Sequence, residues 1–466
     1  VVLSRVAYET EAMRQLMDPI CYEKILRTDY KNTEVKYGEL IKKWYDLGQL
    51  DIDEFSFLNC KNATIPTFYH IPKLHKDARN PPGRPIISSQ GSLLEHASMF
   101  VDSFLSPFVK DLSSYIQDTT DFLKKIQGIV WEEDFLLITM DITSLYTSIS
   151  HTQGIEACKF FLKGRSLCFH ESNVMVVELL AFCLTENIFL FGKQLYRQRQ
   201  GTAMGTCFAP SYANLFVGWW EKRVAWSGVN EKYLDNIMLW CRFIDDLFLV
   251  WKGSIEDAQD FVRKLNVNEL NLQFTSVISR ERVDYLDVTV MVENGRLKTK
   301  LFRKPTAGNS ILHGTSSHPK SLLNSIPYGE LLRAKRNCTL QEDYRTVEHE
   351  MLNRLSERGY PRDILNRAQE KVNKLTQVDL LNSRRVRKDE EVVRLITTFS
   401  SDTGRINNIL TRNWHILKVD PIIGEALGEA PQVTYRKSTA LRELLVNSHF
   451  KDLRDTSSEM TGFFPC

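Results

Sequence analysis

Two adjacent carboxylates, Asp245 and Asp246, stand inside the apolar stretch Phe243-Ile244-Asp245-Asp246-Leu247-Phe248, part of a β-like run from Cys241 to Trp251. A third, Asp141, ends another apolar run, Phe135-Leu136-Leu137-Ile138-Thr139-Met140, whose length suits a buried strand. Neighbouring strands lie about 4.8 Å apart, so a sheet that pairs the two runs lets Asp141 and Asp245 face the same divalent ions. An unpaired carboxylate at a buried strand end is costly, and a cation removes that cost. Hard oxygen donors favour Mg²⁺. Two such ions, about 3.5–4 Å apart, can stabilise both the attacking and the leaving oxygen in phosphoryl transfer. Asp245 and Asp246 alone also suit a hairpin turn, where Asp is common, and both readings stay open on these residues.

Two further segments are candidates for binding. Gln200-Gly201-Thr202-Ala203-Met204-Gly205-Thr206 lies between the two carboxylate positions. No Gly-Lys-Ser/Thr follows, so it is not a P-loop. It suits either a tight connection before a helix that starts near Pro210, or a surface that a base pair approaches closely. Upstream, Phe68 to Lys76 and Asn80-Pro81-Pro82-Gly83-Arg84-Pro85 form a Pro-rich, basic loop or hairpin. His70 and His75 have no partner at metal-ligand spacing and read as packing or surface residues.

The elements that must position these groups follow from periodicity. Residues 1–60 and 91–127 read as helical, the latter with Phe104, Leu105, Phe108 and Leu112 on one stripe. Helices are expected at about 153–163, 172–186 and from Pro210 towards Trp226, and strands at 272–279, 284–292 and 297–302. From about 320 the chain turns helical and basic, densest at Arg384-Arg385-Val386-Arg387-Lys388.

Taken in order, an Asp-x-x-x-x-Tyr strand end, a Gln-Gly loop with helix and an x-x-Asp-Asp hairpin resemble motifs A, B and C of a reverse transcriptase palm. The resemblance implies that Asp141 and Asp245 are metal ligands, joined by the backbone carbonyl of Ile142, with Asp246 as the motif's third carboxylate. It implies two Mg²⁺ ions. It places Tyr146 beneath the sugar of the incoming nucleotide, where a ring excludes a 2′-hydroxyl and favours dNTPs. Gln200 and Gly201 are nucleotide-binding by the same carry-over, and Lys73 and Arg84 match the family's triphosphate-binding residues.

The finer resemblance is to the reverse transcriptases of Penelope-like retroelements, a group related to telomerase reverse transcriptase. It rests on Tyr69-His70-Ile71-Pro72-Lys73-Leu74-His75-Lys76, on Asp284-Tyr285-Leu286-Asp287-Val288, and on Arg303-Lys304-Pro305-Thr306 with Ser317-His318-Pro319. Tyr285, Leu286, Asp287, Arg303 and Lys304 would then grip primer and template. Lys264 is the candidate for the lysine that protonates pyrophosphate. Most relatives carry a GIY-YIG endonuclease, and neither half of that motif occurs here. The ending Gly462-Phe463-Phe464-Pro465-Cys466 resembles the start of the linker before it, as if the chain were truncated there.

Composition is compatible with this. The 466 residues are 43% hydrophobic and 25% charged, which excludes a disordered chain, a collagen-like fibre and a small disulfide scaffold. The net charge of +2 hides an asymmetry: 29 basic and 34 acidic residues precede Arg280, and 31 and 24 follow from it onward. An acidic front suits metal ions and a basic back suits phosphates. Nine scattered cysteines without a C-x-x-C pair point to a reducing compartment, nucleus or cytosol, and no run is long enough for a membrane helix.

The expected fold is α+β, a right-hand polymerase with an antiparallel palm sheet, helical fingers and a helical thumb. The expected segments are 1–60 helical extension, 61–133 fingers, 134–300 palm with a fingers insertion at about 151–200, 301–400 thumb and 401–466 C-terminal extension. The expected activity is addition of dNMP to a primer 3′-hydroxyl on an RNA template. The alternatives are a catalytically silent nucleic-acid binder derived from a polymerase, and a telomerase-like reverse transcriptase.

Overall fold

The computed structural model describes residues 2–60, 62–74, 76, 77, 79–163, 171–305, 307–382, 394–400, 403–420, 424, 431–436, 462 and 463. His75, Thr306, the basic cluster 384–388 and residues 464–466 lie outside the described residues. The chain forms two compact units: Val1–Asp118 with Trp131–Tyr285 and Val446–Cys466, and Thr119–Val130 with Leu286–Leu445.

The first unit begins with β1 (Val2–Leu3), α1 (Arg5–Leu16), β2 (Tyr22–Ile25), α2 (Arg27–Asp46), α3 (Ile52–Leu58), β3 (Thr67–Pro72), β4 (Gly83–Ser88) and α4 (Glu95–Lys110). After α5 (Thr119–Gln127), which belongs to the second unit, come β5 (Phe135–Ile142), α6 (Leu145–Ser148), α7 (His151–Lys163) and α8 (Glu171–Thr185). Next are β6 (Ile188–Phe191), β7 (Gln194–Gln198), α9 (Ala209–Trp220), a π-helical turn Glu221–Ala225 and a 3₁₀ segment Gly228–Asn236. Strands β8 (Ile237–Phe243) and β9 (Asp246–Lys252), helix α10 (Ile255–Leu265), β10 (Phe274–Ser279) and β11 (Arg282–Tyr285) follow.

Two sheets organise this unit. One is antiparallel with strand order β10-β5-β9-β8; the other has the order β2-β7-β6-β3-β4, with β3 and β6 parallel. Leu136, Leu137 and Ile138 of β5 are wholly buried, as are Leu247 to Trp251 of β9, so both strands read as near-continuous apolar runs. Their core includes Phe216 and Trp220 of α9 and Phe261 of α10. Each large apolar side chain contributes about 1.5–3 kcal/mol by leaving water. Pro210 occupies the first turn of α9, where its missing N–H costs nothing. Ser254 caps α10, its Oγ accepting from the Asp257 N–H at 3.0 Å.

Two helical expectations are corrected. Residues 1–60 contain a strand, β2, paired with β7, whose hairpin with β6 the periodicity also misses. β2 has only four residues, too short to show a period of two, and its partner is far away in sequence. The 91–127 helix is broken. The chain between α4 and α5 runs beside β8 instead: the Arg242 N–H donates to the Ser114 carbonyl (2.7 Å) and the Ile116 N–H to the Arg242 carbonyl (3.1 Å).

In the second unit, β12 (Val288–Glu293) and β13 (Arg296–Leu301) form a hairpin through Asn294 and Gly295, both left-handed, as a type I′ turn requires. Helices α11 (Lys320–Asn337), α12 (Gln341–Glu357), α13 (Arg362–Asn373) and α14 (Gln377–Asn382) come next. Leu331, Tyr344, Met351, Leu355, Leu365 and Val372, from the first three of them, share one core. The remaining elements are β14 (Arg394–Thr398), α15 (Thr403–Lys418) and β15 (Gln432–Arg436), with β14 and β15 parallel. β16 (Gly462–Phe463), in the first unit, pairs with β1. The described cysteines are free thiols, and among the described residues no helix is long and apolar enough to cross a membrane.

Candidate active site

The aspartates meet at the ends of paired strands. In the β5–β9 ladder Asp141 stands directly opposite Asp246, so the two side chains share a face with Cβ atoms about 4.5–5.5 Å apart. Asp245 lies in the two-residue turn of the β8–β9 hairpin, closed by the Phe243–Asp246 pair. The Ile142 N–H donates to the Asp245 carbonyl oxygen (3.0 Å), tying this turn to the end of β5. Ile244, at the first central position of the turn, has φ 57°. Such a turn favours Gly there, and a β-branched residue with positive φ is strained. Strain of this kind persists only where the surroundings over-determine the backbone, and it collects at functional sites.

The surroundings do so here through Arg242, a residue that local sequence patterns do not single out. Its guanidinium is wholly buried and donates to Glu221 Oε1 (2.9 Å), Asn214 Oδ1 (2.7 Å), the Asn214 carbonyl (3.2 Å) and the Ile244 carbonyl (3.3 Å). Glu221, also buried, accepts in addition from Ser114 Oγ (2.7 Å) and Trp240 Nε1 (3.0 Å). It sits on the π-helical turn that follows α9, a distortion frequently found at functional sites. A buried charge pair survives only when its remaining donors and acceptors are satisfied, and this one is well supplied. A signal exists in the sequence: two opposite charges, one ending an apolar run at Trp219-Trp220-Glu221 and one interrupting another at Trp240-Cys241-Arg242-Phe243.

The basic hairpin reaches the same place. β3 and β4 pair antiparallel with Ile71 opposite Arg84 and Pro72 opposite Gly83, and the Lys73 N–H donates to the Pro82 carbonyl (2.8 Å). Burial raises the Asp245 carboxyl above its ordinary range and the Asp141 charge adds to this, while its own N–H, Arg84 and Lys73 pull it back. The converse holds at Lys73: burial lowers its ammonium, Arg84 and Lys76 lower it further, and Asp141 and Asp245 raise it. The Tyr146 phenol is pushed up to about 12, first by burial and then by the Asp245 charge. Lys73, Arg84, Asp141, Tyr146 and Asp245 therefore share one neighbourhood, in which Asp141 and Arg84 are exposed and the other three half-buried.

Among the described residues no three His, Cys, Asp or Glu side chains are grouped closely enough to hold a metal ion. The expected three-carboxylate clasp is thus not preformed. The donor set still fits a hard cation. The Asp141 charge opposes ionisation of Asp245 in a partly buried site, a conflict that a cation between them would relieve, and carboxylate oxygens are the donors Mg²⁺ takes.

The Gly loop is stitched to its neighbours on two sides. The Gly201 N–H donates to the Ile149 carbonyl (2.8 Å) and the Thr202 N–H to the Tyr146 carbonyl (2.7 Å). Gln200 Nε2 donates to the Ser148 carbonyl (3.1 Å). With φ +75°, Gly201 admits no Cβ, which would collide with the Tyr146 carbonyl and Thr147 Cα; at Gly205 (φ +125°) it would strike the Ile87 carbonyl. The Ile87 N–H donates to the Met204 carbonyl (3.0 Å) and Ser89 Oγ to the Gly205 carbonyl (2.9 Å). Here the close approach that demands glycine is made by the chain's own backbone.

The primer-grip candidates fall into both units. Tyr285, in the first, is buried, with its ring 5.4 Å from that of Phe248 and its hydroxyl donating to the Asp246 carbonyl (3.2 Å). It supports the back of the carboxylate hairpin. The others belong to the second unit. Leu286 has φ 53°. The Asp287 carboxylate accepts from Thr119, from Arg333 Nε (2.7 Å) and from Asn337 Nδ2 (3.0 Å). Burial acts to raise its pKa, but these bonds outweigh that and hold it below the usual range. Arg303 is half-buried against Met351 Sδ (3.4 Å), and Lys304 is exposed. Lys264 is paired with Asp260 on its own helix (2.7 Å) and donates to the Tyr233 hydroxyl (3.0 Å); Asp260 holds its ammonium well above the ordinary range.

Comparison with known proteins bears on the fold. A family model for the animal helix-turn-helix domain matches residues 310–370, the region of α11, α12 and most of α13. No curated protein matches the chain. Telomerase from Candida albicans, solved with a fragment of telomeric RNA, is 10% identical at a TM-score of 0.53 over 90% of this chain and 69% of that one. Apo telomerase of Candida tropicalis truncated from its C-terminal domain is 10% identical at 0.38, over 51% and 55% of the two chains. The BmCPV RNA-dependent RNA polymerase at its quiescent state is 11% identical at 0.42, over 75% and 30%. This chain therefore spans about half of the first of these telomerase chains from Candida tropicalis, and about two-thirds of the Candida albicans one. At these identities the likeness to the Candida albicans enzyme speaks to architecture alone: the fold is mixed helix and sheet, similar to that of this telomerase chain.

Proposed function

We propose that this chain is an RNA-directed DNA polymerase of a retroelement of the Penelope-like group, a reverse transcriptase that extends a DNA primer on an RNA template. The observation that carries the reading is the pairing of Asp141 with Asp246 at adjoining strand ends, with Asp245 in the turn beside them and within the electrostatic reach of Asp141, Lys73, Arg84 and Tyr146. In this reading the β10-β5-β9-β8 sheet is the palm, the β3–β4 hairpin belongs to the fingers, and the helices after Lys320 form the thumb. The helix-turn-helix match at residues 310–370 supports a thumb that touches nucleic acid.

Asp141, Asp245, Asp246 and the Ile142 carbonyl would hold two Mg²⁺ ions. Metal held by these residues would supply neutralisation of charge at the attacking 3′-hydroxyl and the departing pyrophosphate. The chain's own residues do the rest. Lys73 and Arg84 receive the triphosphate and offset the charge that develops on its β- and γ-phosphates. The Tyr146 ring lies under the sugar and leaves no room for a 2′-hydroxyl. Gln200, Gly201 and Thr202 keep the backbone around Tyr146 in place. The carboxylates form no covalent intermediate; alignment is the main contribution. Tyr285 to Lys304 would follow the primer and template, and the protein would work in the nucleus, where its DNA target lies.

Primer extension with dNTPs and Mg²⁺ on RNA and DNA templates tests this. The wild type should extend, and Asp245→Asn should lower the rate by on the order of a thousandfold or more while RNA binding stays intact. Equal extension by both proteins would refute the metal-ligand assignment. No extension by the wild type, with RNA still bound, would favour the silent binder. The likeness to Candida albicans telomerase keeps a second reading open, repeat addition on a dedicated RNA, which predicts strong preference for one template.

A further inference from the structure

The N-terminal helix α1 plays no part in the reading above, yet it holds the hairpin that carries Lys73 and Arg84. Resting on the polymerase reading, we propose that α1 is a clamp that sets nucleotide affinity, with Tyr8, Glu11 and Gln15 as positioning residues acting through Gly83 and His70.

The contacts fall on both strands of the hairpin, next to the cations. Gly83, immediately before Arg84, has both backbone groups taken by α1: its N–H donates to Glu11 Oε1 (2.8 Å) and its carbonyl accepts from Gln15 Nε2 (2.9 Å). β4 is the edge strand of its sheet, and a strand edge leaves N–H and C=O groups without partners. Glu11 and Gln15 serve Gly83 as a neighbouring strand would. On β3, the His70 N–H donates to the Tyr8 hydroxyl (3.0 Å), and His70 Nε2 lies 2.9 Å from the Tyr8 carbonyl. A carbonyl only accepts, so Nε2 carries the proton. The two rings stack at 4.0 Å. A Cβ at residue 83 would lie 2.5 Å from His70 Nδ1, so the strands close on each other here through the absence of a side chain.

The helix is itself anchored. Tyr8, Ala12 and Leu16, at helical spacing, pack with Phe68, Ile87, Phe189 and Ala203. Arg14 fixes the Glu11 carboxylate from the same helix (2.7 Å). The hairpin is therefore joined to a rigid element through directional bonds that specify where Arg84 starts. Removing them leaves Lys73 and Arg84 chemically intact but allows the hairpin to move, and the cost appears when the triphosphate must order it again.

Single-nucleotide incorporation on a fixed primer–template separates this from a general loss of structure. Glu11→Ala and Gln15→Ala should each raise the dNTP KM by about three- to tenfold, with kcat and primer–template affinity within about twofold of wild type. Glu11→Gln keeps an oxygen for the Gly83 N–H and should restore most of the KM. Hydrogen exchange should rise in residues 69–88 of the alanine variants and stay unchanged in residues 237–252. Unchanged exchange in residues 69–88, or a KM within about twofold of wild type in both alanine variants, would overturn the clamp. An inactive wild type would count against the polymerase reading, and exchange would still decide whether α1 holds the hairpin.

Discussion

Two hairpins meet at the site and are secured by opposite means. The β8–β9 hairpin, which carries Asp245 and Asp246, is braced from inside by the Arg242–Glu221 pair, both side chains at 0–1% exposure. The β3–β4 hairpin, which carries Lys73 and Arg84, is held from outside by α1, through partly exposed bonds from Glu11 and Gln15 to Gly83 and a buried Tyr8–His70 contact. The difference suits the roles proposed above for the two hairpins. Carboxylates that share a cation must keep a fixed separation, and a fully satisfied buried network allows little movement. Under the proposed function, cations that receive a mobile triphosphate need only be returned to the right region, and hydrogen bonds of about 1 kcal/mol each from one helix suffice.

This contrast can be broken experimentally, and the Asp245→Asn rate loss described above is the largest effect expected. Next is the brace. Arg242→Met leaves Glu221 buried without its partner and should cost about 3–5 kcal/mol, read from denaturant unfolding. Adding Glu221→Gln should recover part of that stability, whereas extension should remain slow because the Ile244 carbonyl still lacks its donor. Full recovery of rate together with stability would show that the brace is structural only.

Lys73→Ala and Arg84→Ala should raise the dNTP KM by about ten- to a hundredfold each, since one charge-assisted contact to phosphate is lost. An effect confined to kcat would move these residues out of the binding role. A smaller change, about tenfold, is expected in sugar choice: Tyr146→Ala should admit rNTPs, measured as the ratio of kcat/KM values for dNTP and rNTP. Unaltered selectivity would leave Tyr146 as a core aromatic.

The smallest effect concerns pH. The Glu11 carboxyl is lowered to about 2, first by its hydrogen bond from Arg14, with Gly83 and Gln15 contributing, against burial. A depressed folded-state pKa means stability that is present above the unfolded value of 4.5 and is lost as pH falls through about 2. Wild type and Glu11→Gln should therefore differ in melting temperature at about pH 6, and the difference should narrow as the pH is lowered towards about 3. A constant difference across that range would mean that the ionised form of Glu11 does not hold the clamp.

The placement of much of the candidate site was legible in the amino-acid order, because residue type at the ends of apolar runs is a local feature. Two apolar runs that each carry an aspartate at one end have few ways to pair, and the β5–β9 register puts Asp141 opposite Asp246. Lys73 and Arg84 flank a Pro-Pro-Gly stretch that a hairpin can close, and a hairpin forms there. The glycine loop was recognisable as such. Its reason was not: the Tyr146 and Ile87 carbonyls that crowd Gly201 and Gly205 come from remote segments.

Which groups hold these elements still is settled by long-range packing. Arg242 and Glu221 stand 21 positions apart, and either alone is an ordinary charge; folding turns them into a buried pair beneath a strained turn. Gly83 and Glu11 are 72 positions apart, and no periodicity links a helix face to the unpaired edge of a distant strand. Local sequence determines the longer apolar strands, the turns and the chemical identity of side chains, since these depend on backbone sterics and near neighbours, whereas a short strand such as β2 is set by its distant partner. Burial and long-range hydrogen bonding depend on every element at once, and only the folded chain assigns them.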